Sequence, residues 1–522
     1  MEKATRKLVI VGGGTAGWIT ASLVAAEMRH APERRPEITL IESPDIPIIG
    51  VGEGTWPSMR LTLKKIGIPE SRLLGECGAS FKQGTCFRGW TDNDPDQYYY
   101  HPFSFPVEYS NINLAGFWLQ NRHKLPFADL VTPQARVIKT DLAPKQASTP
   151  EYAFAVNYGY HFDAGRFARM LHDHAVNELG VHYVSGNVQR VNSDESGDIA
   201  SLELDTGETV DGDLFVDCTG QRALLIGEHY GVPFESVKDV LFNDRAIAVQ
   251  VEHTDPNAPL PSVTLSTATK AGWIWDIALQ ERRGIGHVYA SLYMDDDEAL
   301  TVVRDYVART SPGVDLDSLK FRNISFEPGH RSQFWVNNCV AVGLSGGFIE
   351  PLEASALALI EQSAGIISQQ FPVNREIMPV IARRFNERMH YHWERLIEFL
   401  KLHYVLSKRN DSDYWRACHD LKSCPAGLQD KLAAWKQQPP WHDDSPRVDE
   451  LFPSASYQYV LYGMGFIPTH AFLPGTDPAG DQRRAEELMK ANFAKTQQMI
   501  NLLPTNRGLI NAILSNKNMA SE

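Results

Sequence analysis

Residues 8–20 read LVIVGGGTAGWIT, and this stretch decides the fold of the N-terminal part. Its four apolar residues predict a buried strand, its glycines predict a tight turn, and the residues after them predict a helix reaching about Arg29. A second apolar strand follows at residues 38–41 and ends in Glu42. A strand, a glycine turn, a helix and a second strand together indicate a βαβ unit with a parallel sheet.

The turn carries the pattern GxGxxG, formed by Gly12, Gly14 and Gly17. The first two glycines allow the backbone to approach a pyrophosphate closely, and the third allows the helix to pack against the strand. The N-terminus of the helix then faces the phosphates with its partial positive charge. Glu42 suits a ribose hydroxyl and repels a 2′-phosphate, which favours FAD or NAD over NADP. A plain βα turn is the alternative interpretation.

Two later segments, residues 213–220 and 339–347, are apolar strands that run into glycine. They return the chain to the first sheet, and this interrupted arrangement resembles the glutathione-reductase-like FAD fold. The sequence contains no second GxGxxG for a nicotinamide cofactor, so FAD is preferred over NAD. We therefore predict an α/β chain with a glutathione-reductase-like FAD-binding fold, an interleaved β-rich substrate module and a helical C-terminal region.

The chain is predicted to have three parts. A discontinuous FAD-binding module covers residues 1–375, substrate-binding segments interrupt it, and a helical substrate-binding region follows. The module comprises about residues 1–60, 160–230 and 335–375, the interleaved segments are 61–159 and 231–334, and the C-terminal region is 376–522. Residues 85–150 are rich in aromatic residues with weak periodicity, which predicts long loops over an aromatic pocket.

Composition excludes several classes of protein. The net charge of −14 argues against a large nucleic-acid surface. No stretch reaches the roughly 20 apolar residues of a membrane span, and no apolar run typical of a secretory signal precedes the glycine turn. We therefore expect a cytoplasmic protein with neither a nucleic-acid nor a membrane partner. The six cysteines form no CxxC pair, which favours reduced thiols and no metal site.

Further segments resemble the flavin-dependent tryptophan halogenase family. Together with VIVGGGTAGW at 9–18, they are GVGEGT at 50–55, FK at 81–82, YHPF at 100–103, GWIWDI at 272–277 and GFIEPLE at 347–353. The element with two tryptophans is the most discriminating, because related flavin monooxygenases lack it. The family pattern continues with proline where this chain has Ala278.

The resemblance implies an enzyme that uses FADH2, oxygen and chloride or bromide to halogenate an electron-rich aromatic substrate, here an indole. Hypohalous acid is then led to Lys82, which holds it by an ammonium hydrogen bond or as a haloamine, and both routes stay open. A desolvated lysine suits either role. Glu353 stabilises and then deprotonates the cationic ring. A separate flavin reductase supplies FADH2 by diffusion, and a homodimer is left open.

The resemblance also implies binding residues. Those for FAD are Gly12, Gly13, Gly14, Ala16, Gly17, Glu42, Ser43, Ile46, Val51, Gly54, Val188, Leu344 and Leu357. Those for the halide are Ser355 and Ala356, those for the substrate are His101, Phe103 and Tyr457, and Trp273 and Trp275 form a structural motif. By residue type alone, Lys82 is a surface lysine, Glu353 an acid at a helix start, and the two tryptophans core residues.

One departure from the family concerns the halide. The family has Ser-Thr-Gly after the catalytic glutamate, whereas this chain has Ala354, Ser355 and Ala356. The backbone amides survive both changes, so halide binding persists. Alanine in place of glycine narrows the backbone conformations at position 356. We therefore expect a reshaped anion site, with bromide used at least as well as chloride.

A second departure concerns the substrate. The family holds the amino acid with a Tyr-Tyr pair and a nearby glutamate, whereas here Tyr457 is followed by Gln458 and no acid occurs between Leu451 and Thr476. A buried ammonium group would lack a counter-charge there. We therefore expect free tryptophan to be a poor substrate, and indole or a larger indole-bearing molecule to be a better one.

Two other functions are compatible with the FAD pattern. The first is an FAD-dependent aromatic monooxygenase (a hydroxylase), which needs neither Lys82 nor the tryptophan pair. The second is a non-catalytic FAD-binding protein, which binds the cofactor and forms no halide-dependent product.

Overall fold

The computed structural model describes residues 4–46, 52–94 and 96–520. The chain forms two compact units, each built from three separate stretches. Unit 1 consists of Met1–Gly78, Phe162–Val237 and Glu327–Trp393, and unit 2 consists of Ala79–His161, Lys238–Phe326 and Glu394–Glu522.

The strands and helices follow in chain order. The strands are β1 (Lys7–Val11), β2 (Glu37–Glu42), β3 (Glu53–Gly54), β4 (Ser80–Lys82), β5 (Gly84–Arg88), β6 (Tyr98–Pro102), β7 (Gly159–Phe162), β8 (His182–Ser185), β9 (Val188–Ser193), β10 (Ile199–Leu204), β11 (Thr209–Asp211), β12 (Leu214–Asp217), β13 (Phe234–Ser236), β14 (Arg245–Glu252), β15 (Thr264–Thr269), β16 (Gly272–Ala278), β17 (Arg282–Tyr289), β18 (Arg322–Ser325), β19 (Gly329–Arg331), β20 (Trp335–Val336), β21 (Cys339–Ala341) and β22 (Gly347–Phe348). The helices are α1 (Thr15–Glu27), α2 (Ser58–Ile66), α3 (Glu70–Glu76), α4 (Ala115–Asn121), α5 (Phe127–Val131), α6 (Gln134–Lys139), α7 (Ala164–Asn177), α8 (Asp296–Thr310), α9 (Ser355–Gln369), α10 (Met378–Val405), α11 (Asp413–Cys418), α12 (Ala426–Gln437), α13 (Ser454–Gly463), α14 (Pro478–Leu502) and α15 (Asn506–Ala520).

Unit 1 is built on a sheet with the strand order β20-β21-β12-β1-β2-β8. Its strands run parallel except β20, and β1 is buried almost throughout, as expected for a strand covered on both faces. Helix α1 lies over the sheet and packs against α7 and α9. An antiparallel sheet of β9, β10 and β11 shares a hydrophobic core with residues of β1 and β2. This layering confirms the predicted glutathione-reductase-like FAD-binding fold.

The turn between β1 and α1 requires glycine at two positions. Gly12 has φ +117°, and a Cβ atom there would lie 2.2 Å from the carbonyl oxygen of Cys218 on the neighbouring strand end. A Cβ atom on Gly17 would lie 2.0 Å from the carbonyl oxygen of Gly12. The absence of both side chains therefore lets α1 start directly above the end of β1.

Unit 2 is built on a sheet with the strand order β18-β14-β17-β16-β15-β5-β6. The β15–β5 pair is parallel and the other pairs are antiparallel. Helix α8 contacts β17 and β14, and α13 contacts β6 and α5. The C-terminal helices α11 to α15 belong to this unit.

The prediction of long loops over residues 85–150 is right only in part. Stretches such as 103–114 and 140–150 lie outside helices and strands, but the segment also contains most of strand β5, strand β6 and the short helices α4, α5 and α6. Helices α5 and α6 begin directly after Pro126 and Pro133 and span five and six residues. A helix of that length shows hardly two turns of periodicity, so the pattern was too short to identify from the sequence.

All six cysteines are free thiols, and five of them are buried. Within the described parts of the chain, no three His, Cys, Asp or Glu side chains are grouped closely enough to hold a metal ion. Of the helices that the structure describes, none is long and apolar enough to cross a membrane.

Candidate active site

The N-terminus of α1 in unit 1 is open to an anion. Its N-cap residue, Gly14, offers no side-chain hydrogen bond, and no acidic residue lies in the first turn. The first amide groups of the helix therefore keep their hydrogen-bonding capacity, and the helix dipole adds positive potential. A Cβ atom built on Gly14 would meet no atom within 4 Å. The open space is where a pyrophosphate would approach the backbone.

Glu42 lies against the same turn. A Cβ atom on Gly13 would lie 2.0 Å from Cδ of Glu42, which places the carboxyl group directly over that glycine. Partial burial raises the pKa of Glu42, and the nearby His172 opposes that shift. An acid at the end of the second strand, next to the glycine turn, is what a ribose hydroxyl requires. The residues of unit 1 therefore fit a dinucleotide such as FAD.

The structure brings further predicted FAD residues towards this turn. A Cβ atom on Gly343 would lie 2.9 Å from Cβ of Ala16, so the 3-10 turn Gly343–Ser345, which carries Leu344, lies against the first turn of α1. Elsewhere in unit 1, Asn187 donates a 2.7 Å hydrogen bond to Asp45. That bond connects the segment of Ile46 with the segment of Val188.

The remaining predicted FAD residues have these positions. Ser43 follows β2, and its hydroxyl accepts a hydrogen bond from the amide of Asp45 at 3.2 Å. Gly54 is the last residue of β3, and Leu357 is buried in the first turn of α9. Val51 lies outside the described residues.

The open space at Gly14 yields a discriminating variant. We expect Gly14→Ala to fold with an unchanged urea midpoint, because its methyl group meets no protein atom. The same methyl group would hinder a pyrophosphate, so the Kd for FAD is expected to rise about tenfold or more. Fluorescence titration with FAD measures this effect. Gly365→Ala is the matched control, since its Cβ atom also meets no neighbour, and it should leave the Kd unchanged.

The start of helix α9 in unit 1 is a second position suited to an anion. Ala354, the N-cap residue, is left-handed with φ 55° and ψ 42°, and the helix begins at Ser355. Neither a capping side chain nor an acid in the first turn occupies the amides of Ser355 and Ala356. Both predicted halide residues therefore present the backbone groups that a halide needs.

The expected reshaping of the anion site by alanine at position 356 stays a prediction. Ala356 lies inside helix α9, in a conformation that alanine adopts freely. The strained backbone position is Ala354, one residue after Glu353, where a left-handed conformation is unfavourable for a residue with a Cβ atom.

Glu353 is buried, and its main chain is fixed by a residue that the sequence did not single out. The indole Nε1 of Trp56 donates a 2.7 Å hydrogen bond to the carbonyl oxygen of Glu353. Trp56 directly follows the GVGEGT segment, and this position next to a family motif is the feature of the sequence that could have identified it. The segment assigned to the flavin and the backbone of Glu353 are thus linked within unit 1.

Glu361 provides a second link between the same parts of unit 1. Its carboxyl group on α9 accepts hydrogen bonds from the hydroxyls of Ser58, at 2.8 Å, and Thr62, at 2.5 Å, both on α2. Burial raises the pKa of Glu361 to about 7, and the two hydroxyls partly offset this shift. Glu361 therefore carries a proton at mildly acidic pH.

This pKa predicts a pH-dependent stability. Between pH 4.5 and 7 the folded chain keeps the proton of Glu361 and the unfolded chain loses it, so the contribution of this group to stability falls as the pH rises. Between about pH 5 and pH 8 the wild type should lose about 2 to 3 kcal/mol relative to Glu361→Gln. Urea unfolding of both proteins at the two pH values measures the difference. Parallel pH dependences would contradict the assignment.

Lys82 occupies a different environment in unit 2. It ends strand β4, is completely buried, and its Nζ lies 5.4 Å from the ring centroid of Phe103. Residue type alone predicts a surface lysine, and that interpretation is wrong. A fully buried amine is expensive to maintain, which makes it a strong indication of a functional site.

Several hydrogen bonds fix the strand that carries Lys82. The hydroxyl of Ser80 donates to the carbonyl oxygen of Ala278 at 2.6 Å, and the side chain of Asn506 donates to the carbonyl oxygen of Phe81 at 3.0 Å. The amide of Phe103 donates to the carbonyl oxygen of Gln83 at 3.0 Å. The amine and the aromatic ring of Phe103 are therefore held by adjoining backbone segments.

The other predicted substrate residues belong to one aromatic cluster in unit 2. His101 shares a 2.9 Å hydrogen bond with Ser456, and its ring centroid lies 5.7 Å from that of Phe399. The ring of Tyr457 lies 5.1 Å from Phe399 and 5.0 Å from Trp435. Phe399 thus joins His101 and Tyr457, whereas Phe103 contacts Lys82.

Trp273 and Trp275 are both buried on β16, with ring centroids 6.3 Å apart. A Cβ atom on Gly286 of the neighbouring strand would lie 2.1 Å from the ring of Trp275. The glycine therefore makes room for that indole, and both tryptophans are packed within the sheet region of unit 2.

A glycine turn under an open helix end, with an acid over that turn, defines the class of dinucleotide-binding proteins, and the desolvated lysine of unit 2 indicates an enzyme. Residues 7–477 match the tryptophan halogenase family, and the chain belongs to that family. Members are flavin-dependent halogenases that use FADH2, a halide and O2 and work with a separate flavin reductase. The predicted cofactors are confirmed, and neither alternative function is favoured.

Relatives match most or nearly all of this chain. Tryptophan 7-halogenase RebH of Lentzea aerocolonigenes is 32% identical over 88% of this chain and 90% of its own. The crystal structure of a tryptophan halogenase from Shewanella frigidimarina NCIMB 400 is 45% identical, with a TM-score of 0.94 over 99% of this chain and 98% of the other. BrvH, a flavin-dependent halogenase from Brevundimonas sp. BAL3, is 33% identical, with a TM-score of 0.84 over 97% and 99%.

Proposed function

We propose that this enzyme halogenates an indole and that Lys82 is the residue that directs the halogen. The observation that carries the proposal is the complete burial of the Lys82 amine beside the ring of Phe103. Burial keeps bulk water away from hypohalous acid, which would otherwise be lost into solvent. The aromatic ring of Phe103 offers a surface on which an indole can stack.

The residues of unit 1 that would hold FAD are the glycines of the turn, the amides at the start of α1, and Glu42 at the ribose. Bound as FADH2, the cofactor supplies hypohalous acid from oxygen and a halide. The amides of Ser355 and Ala356 would hold the halide through the open end of α9.

Lys82 acts on the halogen donor in one of two ways. Its ammonium group donates a hydrogen bond to hypohalous acid and polarises it, or its neutral amine attacks the halogen, loses a proton and releases water to give a haloamine. Either way, the ring carbon that faces the amine is the one that reacts. Glu353 would stabilise the cationic ring and then take its proton.

A single reconstituted assay tests this function. It contains the purified protein, FAD, a flavin reductase with NADH, bromide, oxygen and indole, and mass spectrometry identifies the product. A brominated indole with the bromine isotope pattern supports the proposal. A hydroxylated product would identify a monooxygenase, and FAD binding without a product would identify a non-catalytic flavoprotein.

The substrate is proposed to be indole or a larger indole-bearing molecule rather than free tryptophan. Helix α13, which carries Tyr457 and Gln458, contains no acidic residue. Nearby, Asp444 accepts hydrogen bonds from the indole of Trp435 at 2.6 Å and the amide of Trp441 at 2.8 Å. Both of its oxygens therefore already have partners, which leaves it poorly placed to balance an ammonium group.

This arrangement predicts weak binding of tryptophan. We expect its Kd to exceed that of indole by about tenfold or more, because a buried ammonium without a counter-charge is unfavourable. Isothermal titration of the FAD-loaded enzyme with tryptophan, indole and the neutral analogue indole-3-acetamide makes the comparison. Saturation by tryptophan at micromolar concentration would overturn the expectation.

A further inference from the structure

A buried histidine faces the same side of the sheet as Lys82. Strands β4 and β7 are antiparallel, with Ser80 opposite His161 and Lys82 opposite Gly159. Side chains two residues apart on a strand share a face, so Ser80, Lys82 and His161 point to one side. His161 is the diagonal neighbour of Lys82, a relation that long side chains bridge.

The ring of His161 is held by one hydrogen bond and has a second nitrogen to offer. Its Nε2 shares a 2.8 Å hydrogen bond with the hydroxyl of Thr264 on β15. Its Nδ1 is buried and makes no hydrogen bond to any residue that the structure describes. If Nε2 carries the ring proton and donates to Thr264, Nδ1 is an acceptor.

Electrostatics keep this imidazole neutral. Burial and the charge of Lys82 both lower the pKa of His161, and Lys82 is the charged group whose field acts on the ring. A neutral ring next to an amine can accept a hydrogen bond from it, whereas a protonated ring could not. An acceptor without a protein partner is rare in a core, and it is retained where a partner meets it during function.

We propose that His161 is a positioning residue for Lys82: Thr264 orients its ring, and Nδ1 accepts a hydrogen bond from the amine when Lys82 receives the halogen donor. This inference rests on the proposed function of Lys82. The bond would fix the direction of the amine and favour its ammonium form, since hydrogen bonding to a charged form stabilises it.

Unit 2 contains a matched control. His287 on β17 is also fully buried, and its Nε2 shares a 2.9 Å hydrogen bond with the hydroxyl of Thr269. Its Nδ1 faces a protein group, the carbonyl oxygen of Ala299 at 3.3 Å. Variants of His287 and Thr269 therefore show how the loss of a buried His–Thr hydrogen bond affects the fold when Lys82 is not involved.

The experiment uses two amides that replace different ring nitrogens. Asparagine places a polar group near the position of Nδ1, and glutamine places one near Nε2. We expect His161→Gln to lower kcat about tenfold or more, as loss of a hydrogen bond to a charged group does, with the KM for indole and the Kd for FAD unchanged. His161→Asn should recover a large part of kcat. His287→Asn and His287→Gln should retain wild-type kcat.

A pH profile and a milder variant complete the test. Loss of the acceptor removes a hydrogen bond that favours the ammonium form, so the limb of the kcat pH profile that reports Lys82 should move to lower pH in His161→Gln. Thr264→Val keeps the side-chain volume and frees the ring, so it should lower kcat, whereas Thr269→Val should not. These threonine variants keep the inference testable if a histidine variant fails to fold.

Three outcomes would overturn the inference while leaving the proposed function intact. The first is a kcat of His161→Asn no higher than that of His161→Gln. The second is a loss of kcat in the His287 and Thr269 variants equal to that in the His161 and Thr264 variants. The third is a kcat pH profile of His161→Gln that does not shift. Retained halogenation in a Lys82 variant would instead overturn the proposed function itself, so the two failures are distinguishable.

Discussion

We expect replacement of Lys82 with methionine to abolish halogenation and to leave FAD binding intact. The turnover of indole is expected to fall by about 10³-fold or more, the scale lost when a group that acts directly on the reacting species is removed. Methionine keeps the apolar volume, and loss of a fully buried amine removes a desolvation penalty, so the urea midpoint should not fall. Mass spectrometry of the product and fluorescence titration with FAD measure the two effects.

Lys145 is the matched control for this variant. It is also almost completely buried in unit 2, and its Nζ lies 5.8 Å and 5.5 Å from the ring centroids of Phe81 and Tyr158. It donates to the carbonyl oxygen of Pro150 at 3.3 Å, which is a structural role. Lys145→Met should therefore retain turnover. Equal losses in the two variants would show that a buried charge, and not the particular amine, is what activity requires.

We expect replacement of Glu353 with glutamine to lower kcat by about 10²- to 10³-fold, because the amide can neither stabilise a cation by charge nor accept the ring proton. The side-chain volume is unchanged, and the hydrogen bond from Trp56 goes to the backbone, so the fold should be preserved. Steady-state kinetics with saturating FADH2 should show the loss in kcat and only a small change in the KM for indole.

Glu350 provides the comparison for this second variant. It lies three residues before Glu353 and is also buried. We expect its role to be structural. Glu350→Gln should change the urea midpoint more than kcat. If it lowered kcat as strongly as Glu353→Gln, the role of the ring-deprotonating acid would no longer belong to Glu353.

The FAD part of the protein could be predicted from the sequence because its determinants are local. Gly12, Gly17 and Glu42 all lie in the short segment from β1 through α1 to β2. The residue type explains each position, since glycine removes a steric clash and glutamate supplies a negative charge. The return of residues 213–220 and 339–347 to the first sheet was also predicted, because both are apolar strands that run into glycine. The GxGxxG spacing predicted a close backbone approach to a pyrophosphate at Gly14, and the space beside Gly14 is open.

The burial of Lys82 and the position of His161 could not be predicted from residue patterns. Strand β4 is three residues long, too short to show alternation, and the pairing that brings His161 to its face joins residues about eighty apart in the chain. The left-handed Ala354 was also invisible, since alanine gives no sign of a strained backbone. For Lys82, the resemblance to the halogenase family supplied what its residue type could not.

The buried cysteines have a consequence for an enzyme that handles hypohalous acid. Burial raises the pKa of Cys77 to about 12 and that of Cys339 well above its ordinary value, so both remain thiols at neutral pH. Electrophilic oxidants attack the thiolate form, and a thiol without solvent access offers almost none. These thiols are thereby protected from the oxidant that the enzyme handles, and leaked oxidant would damage other, exposed side chains before these sulfur atoms.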